Sequence, residues 1–133
     1  MFETHVWPIV SEKRITVIIG KTGSGKTTQI PQLILDREMA INKSENSNKN
    51  TKIIITQPRR IATTSVAKRV SEERGQLEYL EIDGQGSVGY QIKLERYAPS
   101  QSNSLYFVTT GIALEWMRSK NEYVTKADYT VVF

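Results

Sequence analysis

Short runs of β-branched residues alternate along the chain with longer stretches whose apolar positions recur every three or four residues. Residues 15–19 (Ile-Thr-Val-Ile-Ile) are β-branched throughout and stop at Gly20, which predicts a buried strand. From Lys26 to about Met39, the residues Ile30, Leu33, Ile34 and Met39 form one stripe of a helix. Pro31 falls inside it and removes a backbone donor, so a local distortion is expected there. Residues 42–50 contain nothing apolar and read as a flexible surface loop. A second buried strand follows at 52–56. Ile61, Val66, Ala67 and Val70 then mark a helical face from Arg60 to Arg74, with Gly75 placed to end it. Beyond a shorter strand at 88–94 and a turn at 99–103 comes a core strand at 105–108. A helix at 111–120 carries Ile112, Leu114, Trp116 and Met117, and a last strand begins at Tyr129. Trp116, at helical spacing from Ile112, is expected in the core.

Strand–helix alternation with apolar, β-branched strands predicts an α/β fold built on a mainly parallel sheet flanked by helices. The length, 133 residues, allows one domain. Ending within a strand suggests part of a longer, C-terminally truncated domain. There is no cysteine, which excludes a disulfide framework and a thiol nucleophile, and the single His5 cannot build a multi-histidine metal site. The apolar runs fall far short of the ~18 residues of a membrane span, and residues 1–10 lack the pattern of a signal peptide. The chain therefore reads as soluble and intracellular, with nucleus and cytoplasm undecided. A net charge of +4 is compatible with a polyanionic partner without requiring one.

The sharpest chemical signal is Gly20-Lys21-Thr22-Gly23-Ser24-Gly25-Lys26-Thr27, a full match to G-x-x-x-x-G-K-[ST] between a strand pattern and a helix pattern. Such a loop wraps backbone amides around phosphate oxygens, and its glycines admit close approach and positive φ. Lys26 would supply a charge to the β- and γ-phosphates, and the Thr27 hydroxyl would ligate Mg²⁺. Hydrolysis also needs an acidic residue at the end of an apolar strand. Asp83 follows a stretch interrupted by Glu78 and Glu81, and Asp128 precedes its strand. The chain is thus expected to be a poor ATPase, or none, by itself.

Thr56-Gln57-Pro58-Arg59-Arg60-Ile61-Ala62, Val88-Gly89-Tyr90-Gln91-Ile92-Lys93-Leu94-Glu95 and Phe107-Val108-Thr109-Thr110-Gly111, in order after Gly20–Gln32, together resemble the DEAH-box RNA helicases. Residues 20–32 are similar to motif I of that family, including its Thr-Gln-Ile-Pro-Gln extension. Residues 56–62, with Ser65, Val66, Ala67, Arg69 and Val70, resemble motif Ia. Residues 88–95 resemble the V-G-Y-Q-I-R-F-E segment, and 107–111 with Ile112, Ala113 and Leu114 resemble motif Ib. Lys21 stands where the family usually has Glu, and Lys93 where it has Arg. The resemblance implies a P-loop NTPase domain of RecA-like fold, with residues 1–133 as part of the first helicase domain, ending just before the acidic motif. It implies ATP and Mg²⁺ as cofactors and an ATP-dependent helicase moving 3′ to 5′ on single-stranded RNA. A second RecA-like domain, missing from this chain, would complete the nucleotide site.

Carried over by motif, Gly20, Thr22, Gly23, Ser24, Gly25, Lys26, Thr27 and Thr28 would hold the nucleotide, Lys26 and Thr27 being the catalytic pair. Arg69 would stack on the adenine, and Pro58, Arg59, Arg60, Thr109, Thr110 and Gly111 would lie along the RNA backbone. Arg59 and Arg60 also oppose the dipole of the helix they begin, a conflict an external phosphate would relieve. Two other readings compete. A P-loop kinase or other NTPase would explain the loop but not Gln57-Pro58-Arg59-Arg60 or Thr109-Thr110-Gly111. A nucleotide- or RNA-binding module without turnover is compatible with the helicase reading.

Overall fold

A computed structural model describes residues 5–19, 25–100 and 102–132. Five strands form one sheet in the order β3-β2-β4-β1-β5, where β1 is Lys52–Gln57, β2 Val88–Ile92, β3 Glu95–Tyr97, β4 Ser104–Thr109 and β5 Tyr129–Val132. The pairs β1–β4, β1–β5 and β2–β4 are parallel, and β3 folds back antiparallel on β2. β4 is buried at every position and β1 at all but its first, because helices cover both faces.

On one face α2 (Lys26–Ser44) and α3 (Arg60–Glu73) bury Leu35, Ala67 and Val70 against Ile53, Ile55, Leu105 and Phe107. On the other, α4 (Thr110–Ser119) packs Ala113 and Trp116 on Ile54, Tyr106 and Val108. Trp116 lies in the core, as its spacing implies. Tyr123, in the short helix α5 (Glu122–Thr125), stacks on it with ring centroids 5.1 Å apart. A short helix α1 (Trp7–Glu12), which the apolar pattern did not announce, brings Trp7 into the α2–α3 core.

Helix ends follow local chemistry. α3 ends in a Schellman arrangement around Gly75 (φ 68°), with Gln76 N–H donating to Ser71 O at 2.8 Å. α2 ends in the same way on Asn46 (φ 52°), with Ser47 N–H donating to Asn42 O at 2.8 Å. That helix runs through Pro31 for 19 residues and stops at Ser44, beyond the expected Met39. The first three residues of the polar stretch 42–50 are therefore helical. Asn42 is buried, its side-chain amide donating to Lys49 O at 3.3 Å. Lack of apolar residues does not end a helix; an accessible left-handed cap does.

One expectation is overturned. Residues 15–19 are not a buried strand: among the described residues they pair with no other strand, and Ile15 and Ile19 are 81% and 93% exposed. β-Branching marks a side chain suited to a pleated, half-buried surface, and it makes a strand only where a neighbour supplies the ladder. Here a cleft of about 900 Å³ separates 15–18 from 130–132 of β5 and is floored by Lys26, Ile30 and Ile34. Among the described residues, the outer edge of β5 carries no partner strand.

Candidate functional site

Gly20, Thr22, Gly23 and Ser24 lie outside the described residues, so the loop is seen from its last glycine onward. Gly25 is left-handed at φ 80° and precedes α2 as its N-cap. A Cβ at this position would approach Gln29 Cγ to 3.3 Å, so both conformation and space favour glycine. No side chain caps the helix and its first turn carries no acid. The opening amides of α2, with Lys26 and Thr27 half-buried beside them, thus form the kind of helix start that attracts anions. Thr28 directs its hydroxyl proton to the Gly25 carbonyl at 3.2 Å, bracing the end of the loop.

Arg69 lies far from this loop in sequence, but the structure links the two. Glu73, one turn after Arg69 on α3, accepts a hydrogen bond from Arg69 Nε at 3.0 Å through one oxygen. Its other oxygen accepts from Gln32 Nε2 at 2.7 Å and Gln29 Nε2 at 3.4 Å, both on α2. Gln32 is fixed in turn, donating to Thr28 O at 2.7 Å and accepting from Arg74 Nη1 at 3.3 Å, while Arg74 Nη2 meets Asp36 at 2.8 Å. Hydrogen bonding from Gln32, reinforced by Arg69, holds the Glu73 carboxyl below the usual carboxylate range despite partial desolvation. Glu73 was not among the residues singled out from sequence; its spacing of four from Arg69 was the available signal.

The other candidates gather at the carboxyl edge of the sheet. Gln57 and Thr109 end adjacent strands and are register partners, so 58–60 and 109–111 emerge side by side. α3 starts with Arg59 as N-cap and α4 with Thr109; neither helix has a side-chain cap or an acid in its first turn. The Thr63 hydroxyl donates to the Arg59 carbonyl at 2.8 Å and so leaves the opening amides of α3 uncapped. Pro58, Arg59, Arg60 and Gly111 are exposed, Thr110 is half-buried and Thr109 is buried. Beneath them the buried Gln57 Nε2 has no hydrogen-bond partner among the described residues.

Both carboxylates weighed as metal holders have structural work. Asp83 accepts from Ala98 N–H at 2.7 Å, and Asp128 accepts from Lys52 N–H at 2.7 Å while facing Lys49 Nζ at 3.4 Å. Among the described residues no three His, Asp or Glu converge. A single hydroxyl such as that of Thr27 is chemically compatible with Mg²⁺, which draws most of its ligands from phosphate and water.

A mostly parallel sheet flanked by helices, with this loop sequence opening one of them, is an α/β arrangement consistent with a RecA-like domain. Over most of its length the chain is homologous to DEAH-box ATP-dependent RNA helicases. It is 40% identical over 125 residues to the human ATP-dependent DNA/RNA helicase DHX36, covering 93% of this chain and 11% of that protein. It is 48% identical over 105 residues to the Arabidopsis thaliana DExH-box ATP-dependent RNA helicase DExH1, covering 79% and 9% respectively. To human ATP-dependent RNA helicase DHX30 it is 42% identical over 110 residues, covering 83% and 8%. The chain thus spans 8–11% of the length of these three relatives. No protein-family model matches it. Among the described residues no helix is long and apolar enough to cross a membrane.

Proposed function

We propose that residues 1–133 form part of the first RecA-like domain of an ATP-dependent RNA helicase, the part that grips the triphosphate and faces the RNA backbone. The observation that carries this reading is the 40–48% identity to proteins named as such helicases. In it, the amides of residues 20–27 cradle the β- and γ-phosphates, Lys26 neutralises charge on them, and the Thr27 hydroxyl holds Mg²⁺. Mg²⁺, when bound, offsets the charge that builds on the phosphoryl oxygens during transfer. The Arg69 guanidinium stacks on the adenine face.

Pro58, Arg59, Arg60, Thr109, Thr110 and Gly111 follow single-stranded RNA through its phosphates, without reading base identity. The paired helix starts at Arg60 and Thr110 support this, because both leave uncapped amides at the sheet edge, and the first has two arginines beside it, a setting suited to phosphate. Translocation runs 3′ to 5′ in the full-length protein, where a second RecA-like domain closes over the nucleotide. Asp83 and Asp128 are committed to backbone amides and hold no metal in this reading, so residues 1–133 by themselves bind nucleotide without turnover.

Lys26→Ala in the full-length protein tests the proposal. ATP hydrolysis should vanish while circular dichroism and thermal unfolding stay close to wild type. Turnover that survives the substitution would show that the phosphate assignment is wrong.

A further inference from the structure

Glu73 bonds to α2 through one carboxylate oxygen and to Arg69 through the other. An ion pair between residues four apart on an exposed helix ordinarily fixes little, because both side chains keep most of their freedom. Glu73 differs because its second oxygen is held from another helix, by the buried Gln32, whose own amide is anchored at the Thr28 carbonyl. Gln29, its third donor, lies one turn beyond Gly25 and packs against it, with Gln29 N–H donating to Gly25 O at 2.7 Å. A short chain of contacts therefore runs from the last glycine of the loop to the Arg69 guanidinium.

We propose that Glu73 is a positioning residue for the nucleobase, fixing the Arg69 guanidinium relative to the phosphate-binding loop through its bonds to Gln29 and Gln32. The inference rests on the reading of Arg69 as the stacking partner of adenine. The geometry suits the task. The bond to Arg69 uses Nε, leaving both terminal nitrogens and the faces of the guanidinium plane for a π-system, and the side chain is 67% exposed. An arginine anchored in this way loses less rotamer freedom when a base arrives.

The test uses the full-length protein and two probes: ATP, which engages loop and base site, and inorganic tripolyphosphate, which engages the loop alone. Glu73→Ala should weaken ATP binding by about threefold to tenfold, the size of a modest cation–π contact, and leave tripolyphosphate binding unmoved. Arg69→Ala should do the same, and the double variant should be no worse than Arg69→Ala. Should Glu73→Ala misfold, Glu73→Gln should give the same pattern at smaller amplitude, since its carbonyl still accepts from Arg69. Equal weakening of both probes by Glu73→Ala would reduce Glu73 to a brace for α2 and overturn the proposal, as would additive losses in the double variant. If Arg69→Ala discriminates between the probes and the Glu73 variants do not, the positioning role falls and the stacking role stands. If Arg69→Ala binds ATP like wild type, both fall.

Discussion

Arg59 and Arg60 stand where a helix ordinarily favours acids. Peptide dipoles leave the start of α3 with partial positive charge, and neither its N-cap nor its first turn offers a compensating carboxylate. Positive side chains beside exposed amides make sense when an outside anion completes the arrangement. Arg60→Ala should therefore weaken binding of the full-length protein to unrelated single-stranded RNA sequences by similar factors. It should also lower the slope of log affinity against log salt by about 0.7, the value for one phosphate contact on a single strand. Binding titrations across a salt series would measure both, and a sequence-selective loss would contradict the backbone reading. Arg69 is a different kind of arginine. Glu73, itself bonded to Gln29 and Gln32 on α2, holds its Nε, and in the proposed reading it presents a flat face to the base.

At the level of elements, the β2–β3 hairpin shows how a residue quoted only as part of a motif acquires a physical reason. A Cβ on Gly89 would lie 2.5 Å from both Tyr97 O and Pro99 N, which are backbone atoms with little room to yield. Gly89→Ala should cost about 3 kcal/mol, the upper end for overpacking, with denaturant midpoints as the readout. A wild-type midpoint would mean that the strands can part without penalty.

Much of this level was legible in the chain. The spacing of Val66, Ala67 and Val70 with Gly75 beyond gave α3, and the apolar run at 105–108 gave β4. The left-handed Asn46 that ends α2 was hidden inside a uniformly polar stretch. The turn at Lys93 and Leu94 has no glycine to announce it, and Leu94 takes φ 69° there while 97% exposed. For residues 15–19, composition described a side-chain type and could say nothing of whether another strand lies alongside. At the site, the resemblance to helicase motifs named Arg59, Arg60, Thr109 and Thr110, but only the pairing of Gln57 with Thr109 brings them together. The bonds of Glu73 to Gln29 and Gln32 span some forty positions, and no local pattern encodes them.

At the scale of the whole molecule, three tyrosines predict a loss of stability in alkali. Burial, and then the carboxylate of Glu95, push the Tyr90 phenol well above its usual range, and its hydroxyl donates to Glu95 at 2.6 Å. Tyr129 is raised in the same way by burial and by Glu38, to which it donates at 2.6 Å. Tyr106, between the sheet and α4, is pushed up to about 12, chiefly by burial, with Arg96 opposing the shift. Each folded value lies above the ordinary 10.0, so the unfolded chain releases these protons first. Their contribution to stability is whole below pH 10 and drains away as the pH climbs through 10 towards 12 and beyond. Unfolding free energy from denaturant titrations should fall across that window, and Tyr106→Phe should flatten part of the fall. A stability that holds level from pH 9 to 12 would refute this account.

The outer edge of β5 has a practical consequence. Among the described residues its outer amides and carbonyls meet no strand and face a gap bordered by exposed isoleucines, with Val132 turned outward. Such a rim is a docking template: any extended peptide that reaches it can zip on as an added strand. Concentrated preparations of the isolated chain will consequently tend to pair edge to edge, strand against strand, and a short extended peptide in excess is the natural competitor for that edge.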